Sequence, residues 1–339
     1  MAQATGTHSR YDLQTKGENV REEIANAIDM IDPTETPLSS MIKGDKSSNT
    51  YKEWLVDSLA AASTSNAHID GDVFSGDTLT APAKNGNHHQ ILRKDMIVSR
   101  RAQIVNQAGT KNELSRQIAK AGLELRRDQE AIFTNNQAAV VGNDTTAPKL
   151  AGLPAWLTTN TSRGSSGADP TLSSTTYGYP NAAATDGTDR ALSEATLLGV
   201  IKDTVVSGGK PSVIMVGPTV KQRFSNYQFS STARIATPFQ DHGKAPMGGL
   251  TVNGSVDIYV TDYGKFEVVY NLFQREDDVF IIDKSKIKKS YLTKYATLDQ
   301  GKDGDADRKV LVSDVTLCVT NEAACGIVAD IDETTAMTA

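Results

Sequence analysis

The chain has 339 residues, of which 38% are hydrophobic and 22% charged, with a net charge of −6 and an isoelectric point near 5.5. A single core stops growing at about 250–300 residues, so two lobes, or one lobe with long excursions, are expected; a protein built to grip nucleic acid carries a basic face, which this balance does not offer. Cys318 and Cys325 cannot make a disulfide framework or a CxxC pair and are expected as free buried thiols, the N-terminus lacks a signal-peptide core, and no apolar run is long enough to span a membrane.

Residues 1–16 read as a flexible arm. Val20, Ile24, Ala27, Ile28 and Ile31 then recur at helical spacing, and Asp32-Pro33 stops that helix. A lone helix of this length is marginal in water, so it must dock on its own subunit or on a neighbour. Two strand-like runs follow, at 51–57 and 89–98. The small and polar segment between them, 58–88, suggests an extended two-stranded arm. Isolated hairpins are marginal and long loops within compact domains are functional or disordered. Resting on another subunit resolves both difficulties.

Residues 112–136 carry the strongest helix pattern, with Leu114, Ile118, Ala121, Leu125 and Ile132 on one stripe. Lys120–Glu124 and Arg126–Glu130 are expected as i,i+4 ion pairs, and Gly122 as a bend or a close contact. Residues 158–189, rich in Ser, Thr, Gly and Asp, read as a surface insertion between lobes. An α/β unit comes next. Ser193 caps a helix bearing Leu197, Leu198, Ile201 and Val205, which Gly208-Gly209 ends; 212–216 is a buried strand; Pro218 opens a second helix with Val220 and Phe224. Asn253-Gly254 between two apolar runs is a hairpin signal. Phe266, Val268 and Tyr270 alternate as a strand, and further strands are expected at 279–283, 309–319 and 324–331. The mixture is α+β.

No dinucleotide fingerprint, phosphate loop, zincin motif or nucleophile elbow is present. His8, His68, His88, His89 and His242 all lie in polar or loop-like segments. Asp70 and Asp72 beside His68 read as the exposed tip of the arm. Asp303, Asp305, Asp307 and Asp314 begin like a calcium loop, but Arg308 stands where glycine is required, so a solvated turn is expected. Lys284, Lys286, Lys288, Lys289 and Lys294 form a basic run, read as an edge-strand guard or a partner for acidic neighbours. No catalytic, cofactor-binding or metal-ligating residue is expected, and no cofactor.

Five segments in order resemble one family. These are Glu53-Trp54 through Leu59, Glu124 through Glu130, Gly152-Leu153-Pro154 through Asn160, Val216 through Lys221, and Asp314 through Leu317 with Asn321 through Ala323. Over residues 10–331 the chain resembles the major capsid proteins of tailed phages with the Hong Kong 97 fold.

The resemblance implies an N-terminal arm at 1–45 and an extended β-hairpin loop at 46–100. It implies a peripheral domain at 101–190 and 266–339 with a spine helix at 112–136, and an axial α/β domain at 191–265. Such a protein would be no enzyme. It would assemble with itself into hexamers and pentamers of an icosahedral virion shell, built in the host cytoplasm, enclosing double-stranded DNA without sequence-specific binding and without a membrane. Portal, scaffolding and decoration proteins would be its other partners. The arm helix begins within about twenty residues of Met1, so a separate scaffolding protein is expected instead of a built-in assembly domain. The fold's namesake joins subunits by a lysine–asparagine isopeptide bond; Lys84 is the one lysine between Lys52 and Lys94, but its surroundings are polar, so non-covalent contacts are expected. The alternatives are a nanocompartment shell that encloses cargo and an enzyme with no recognisable motif.

Overall fold

The structure is a computed structural model describing residues 28, 30–73, 76, 81–105, 107, 109–173, 178–230, 257–302 and 304–338. The expected arm helix lies largely outside them; at its end, Ile28, Met30 and Ile31 are exposed and carry no helix. The first described helix is α1 (Pro37–Met41), with its proline in the first turn, where a missing N–H costs nothing. A short strand, β1 (Lys43–Lys46), follows.

The hairpin pairs differently from its expected form. Strand β2 (Tyr51–Val56) runs antiparallel to β3 (Ala83–His88), with Tyr51 opposite His88 and Val56 opposite Ala83. The run at 89–98 is instead β4 (Gln90–Ser99), the edge of another sheet. The physical reason lies in the side chains. Leu92, Met96 and Val98 alternate with exposed Ile91 and Ile97, which suits one covered face of a wide sheet. Strand β3 has no such alternation, so hydrophobic period could not reveal it.

After the short helix α2 (Arg100–Ile104), the spine helix α3 (Glu113–Thr134) lies across β4 and a later strand. Asn112 caps it, its side-chain oxygen accepting from the Ser115 N–H at 3.1 Å. Ala121, Leu125 and Phe133 are its buried stripe. The Lys120–Glu124 pair forms at 3.8 Å. The expected Arg126–Glu130 pair does not, because Glu130 is fully buried and turned to other partners. A Cβ on Gly122 would meet only Leu311 at 4.0 Å, so no close approach demands glycine there.

Helix α4 (Leu153–Trp156) is wholly buried. The 158–189 segment is not a detached surface insertion. It supplies β5 (Thr161–Ser162), β6 (Thr171–Leu172) and β7 (Pro180–Ala182), and it buries Asn160, Gly164, Pro170 and Ala184. Its small residues permit close packing: a Cβ on Gly164 would fall 2.1 Å from the Thr188 carbonyl oxygen.

Helix α5 (Glu194–Val206) begins at the expected Ser193 cap and ends before Gly208, which takes φ +87°. Strand β8 (Val213–Val216) and helix α6 (Pro218–Ser230) follow. The Asn253-Gly254 hairpin lies outside the described residues; the hairpin seen is β9 (Ile258–Thr261) with β10 (Gly264–Tyr270). Strands β11 (Val279–Ile282), β12 (Ile287–Gln300), β13 (Ala306–Val319) and β14 (Gly326–Val328) complete the chain.

These strands form a four-stranded sheet in the order β1-β12-β13-β4 and a six-stranded sheet in the order β5-β14-β11-β8-β10-β9, beside the β2-β3 and β6-β7 pairs. Strands β8 and β11 are buried on both faces. Val213, Met215, Phe280 and Ile282 face a core shared with α3, β4 and β13, whereas Ile214, Val216, Val279 and Ile281 face a second core under α5 and α6. The boundary expected at residue 265 therefore falls inside the six-stranded sheet, whose hydrogen bonds join β10 to β8 and β8 to β11. Strand β12 lies between β1 and β13, so Lys288 and Lys289 are not on a sheet edge; Lys284 meets Glu267 at 2.9 Å. No helix among the described residues is long and apolar enough to cross a membrane.

Candidate functional site: the hairpin arm and its anchors

Among the described residues, nothing covers the arm. Residues 57–73 are all exposed, and Leu55, Leu59, Ile69 and Val73 present apolar side chains to solvent at 69–98% of their full exposure. Water-exposed aliphatic groups in such a run are costly unless another surface covers them.

The root of the arm is held by polar and aromatic contacts. Asn87 is completely buried. Its amide nitrogen donates to the Ala151 carbonyl at 3.2 Å and the Leu317 carbonyl at 2.8 Å, and its oxygen accepts from the Ala151 N–H at 2.9 Å. One side chain thus ties β3 to the segment before α4 and to β13. Trp54 packs on Trp156 with centroids 5.3 Å apart. The His88 ring sits 4.6 Å from that of Tyr51 and 5.4 Å from that of Tyr179. Gly86 allows this layer, since a Cβ would stand 2.5 Å from the Tyr51 ring. Burial lowers the pKa of both His88 and His89. His89 Nδ1 lies 3.1 Å from the Thr50 carbonyl, which can only accept, so Nδ1 carries the proton. Among the described residues, the buried Nε2 atoms of both rings have no hydrogen-bond partner. His88 ends β3 and His89 is the one-residue link to β4, yet the structure buries His89 almost completely.

A second anchor holds the segment leading into the arm. Glu130 on α3 accepts from the Leu38 N–H at 2.7 Å, the Ser39 N–H at 2.8 Å, the Ser39 hydroxyl at 2.5 Å and the Asn271 amide at 2.8 Å. Desolvation raises its pKa, against the pull of these four donors. The carboxylate accepts both N–H groups from the first turn of α1 and pins that helix to the spine. Glu130 and Asn87 carry no motif. The only hint was a charge at position 130, three residues before Phe133, within the apolar stripe of α3.

The residues weighed from sequence fall into ordinary roles. Lys84 pairs with Glu53 across the hairpin at 2.7 Å, with both side chains partly exposed. His68 lies 3.6 Å from Asp72 on the exposed arm. Asp305 pairs with Arg100 at 2.7 Å and Asp307 with Lys302 at 2.9 Å, a salt-bridged turn; Asp303 lies outside the described residues. Among the described residues, no group of three or more His, Cys, Asp or Glu side chains could hold a metal ion. Cys318 and Cys325 are free and buried, and burial pushes both thiols up to about 12, where they are inert.

Comparison with known proteins decides what this frame belongs to. Residues 3–332 match the family model of the SU10 major capsid protein. The chain belongs to this family of major capsid proteins. The capsid protein is also 25% identical over 331 residues to the major capsid protein of Escherichia phage Phieco32, covering 89% of this chain and 92% of that one. In three dimensions it resembles a chain of the Cyanophage A-1(L) capsid asymmetric unit, with a TM-score of 0.60, 13% identity and coverage of 94% and 99% of the two chains. It also resembles the SrpI encapsulin of Synechococcus elongatus PCC 7942, with a TM-score of 0.54, 10% identity and coverage of 98% and 99%. The fold is thus of the Hong Kong 97 type, which phage capsids and encapsulins share, and the family match assigns this chain to the phage side. Its function is that of a major capsid protein of a tailed phage, a structural component of the virion shell.

Proposed function

We propose that the capsid protein assembles into hexamers and pentamers of an icosahedral shell that encloses double-stranded DNA without reading its sequence. The observation that supports this reading best is the arm: a hairpin bound at its root, with Leu55, Leu59, Ile69 and Val73 uncovered in the subunit that carries them. Covering them with a second copy stabilises the contact by removing apolar surface from water. A surface and a receptor on the same chain, repeated around a rotation axis, give heterologous contacts that close into rings. In this reading residues 1–45 form an N-terminal arm and 46–100 an extended loop rooted on β4. The spine helix belongs to the peripheral domain. The axial domain is the α/β unit of 191–265 together with β11 and β14, which share its sheet. Assembly proceeds in the host cytoplasm with a separate scaffolding protein, a portal, and decoration proteins on the finished shell. The acidic balance of −6 suits a wall that contains DNA without gripping it.

Lys84 is already engaged by Glu53 in its own subunit, so the subunits are held by non-covalent contacts. Boiled particles should run as one band near 36.3 kDa on a denaturing gel, and a ladder would overturn that part. The reading as a whole is tested by replacing residues 57–82 with a two-residue Asn-Gly turn, which keeps β2 and β3 paired. The variant should fold with an unchanged near-ultraviolet spectrum and fail to form shells by electron microscopy. Normal shells from it would refute the role of the arm.

A further inference from the structure

Beside α1 lies a concave pocket of roughly 250 Å³, lined by Thr36, Ser39, Ser40, Gln129 and Tyr291 with their neighbours. Two cations converge on it: Arg126, an exposed residue of α3, and Lys289 of β12. Arg126 forms no hydrogen bond or ion pair among the described residues. Lys289 donates to the Ser39 carbonyl at 2.6 Å, a neutral acceptor. Glu130, whose charge acts on Lys289, has its oxygens committed to four donors from α1 and Asn271. The pocket floor is polar and preset. Gln129, itself 2% exposed, holds the Tyr291 and Tyr295 hydroxyls at 3.1 and 2.8 Å. Lys289 is half-buried, and burial lowers its pKa; the Glu130 charge opposes that shift and the Arg126 charge adds to it.

We propose that this pocket is a receptor for a carboxylate side chain of a second copy of the capsid protein, clamped between Arg126 and Lys289 in the shell. Charge complementarity selects the occupant. A planar guanidinium offers a carboxylate two parallel hydrogen bonds, and the ammonium adds a third contact. A second copy offers exposed carboxylates, among them Asp57, Asp70 and Asp72 of the uncovered arm. The inference rests on shell assembly proposed above.

The test uses shells assembled from an equal mixture of ordinary and nitrogen-15-labelled full-length chains, treated with a water-soluble carbodiimide. That reagent joins an amine to a carboxylate only when the two touch. Mass spectrometry should find the Lys289 peptide joined to an Asp or Glu peptide of the other isotope label, in shells and not in unassembled subunits. Arg126→Gln should raise the subunit concentration for half-assembly about fivefold, the factor that about 1 kcal/mol per contact corresponds to, while Arg126→Lys recovers part of it. If mixed-label cross-links are missing, or if Lys289 joins only acids of its own chain, the proposal is overturned. It is also overturned if Arg126→Gln assembles like the parent, or if unassembled subunits bind a 20-base-pair duplex through Arg126 instead. Failure of the parent chain to form shells even with the phage's scaffolding protein supplied would sink the assembly reading first, and this inference with it.

Discussion

Replacing Asn87 by alanine tests whether one buried amide fixes the root of the arm. The side chain makes three hydrogen bonds to backbone groups of Ala151 and Leu317, all in an environment closed to water. Each such bond contributes about 1 kcal/mol net, and a buried group left without its partner costs about 1–3 kcal/mol. Truncation strands the Ala151 N–H and leaves two carbonyls under-satisfied, so a loss of about 2–4 kcal/mol is expected. That is a large part of the stability of about 5–15 kcal/mol typical of a domain, yet leaves the subunit folded. Asn87→Asp should be worse than alanine. It keeps the acceptor for Ala151 but sets a buried carboxylate against the Ala151 and Leu317 carbonyl oxygens. Urea unfolding of unassembled subunits gives the free energies, and amide exchange at Ala151 reports the local contact. If alanine matched the parent within about 0.5 kcal/mol, or if aspartate proved the milder change, the assignment of these bonds as the arm's anchor would be wrong.

Three further outcomes follow from the same contacts. Glu130→Ala removes the acceptor of four donors, so α1 should undock and expose Leu38 and Ile42; proteolysis between residues 28 and 46 should speed up at least tenfold, and an unchanged cleavage rate would refute the anchor. The folded pKa values of His88 and His89 lie below the usual 6.5, so their contribution is intact above that pH and lost as the pH falls through the lowered values; subunit stability should decline below pH 6.5 by up to about 1.4 kcal/mol per pH unit for each histidine, a decline that His88→Gln with His89→Asn should flatten. Gly86→Ala should displace the Tyr51 ring from His88 at a cost of about 1–3 kcal/mol, measured by unfolding, because the new methyl carbon occupies the ring's place.

The sequence by itself determined the elements whose reasons are local. The α3 stripe, the Ser193 cap and Gly208 stop of α5, the proline that opens α6 and the apolar runs of β8 and β11 each follow from the chemistry of a few neighbouring residues. The family resemblance was legible in the same way, as five short segments in order. Tertiary structure decided what depends on partners distant in sequence. Strand β3 has no hydrophobic period and exists because its backbone pairs with β2 while Asn87 reaches residues 64 and 230 positions away. Residues 158–189 looked polar and detached, but β5 is an edge of the six-stranded sheet and Gly164 packs against backbone. Residue 265 lies within β10, inside a hydrogen-bonded sheet whose buried strands serve two cores at once, and period alone cannot say which sheet a strand joins. Glu130 read as half of a surface ion pair. Its burial depends on α1, more than ninety residues away, which supplies the donors that make a buried carboxylate tolerable.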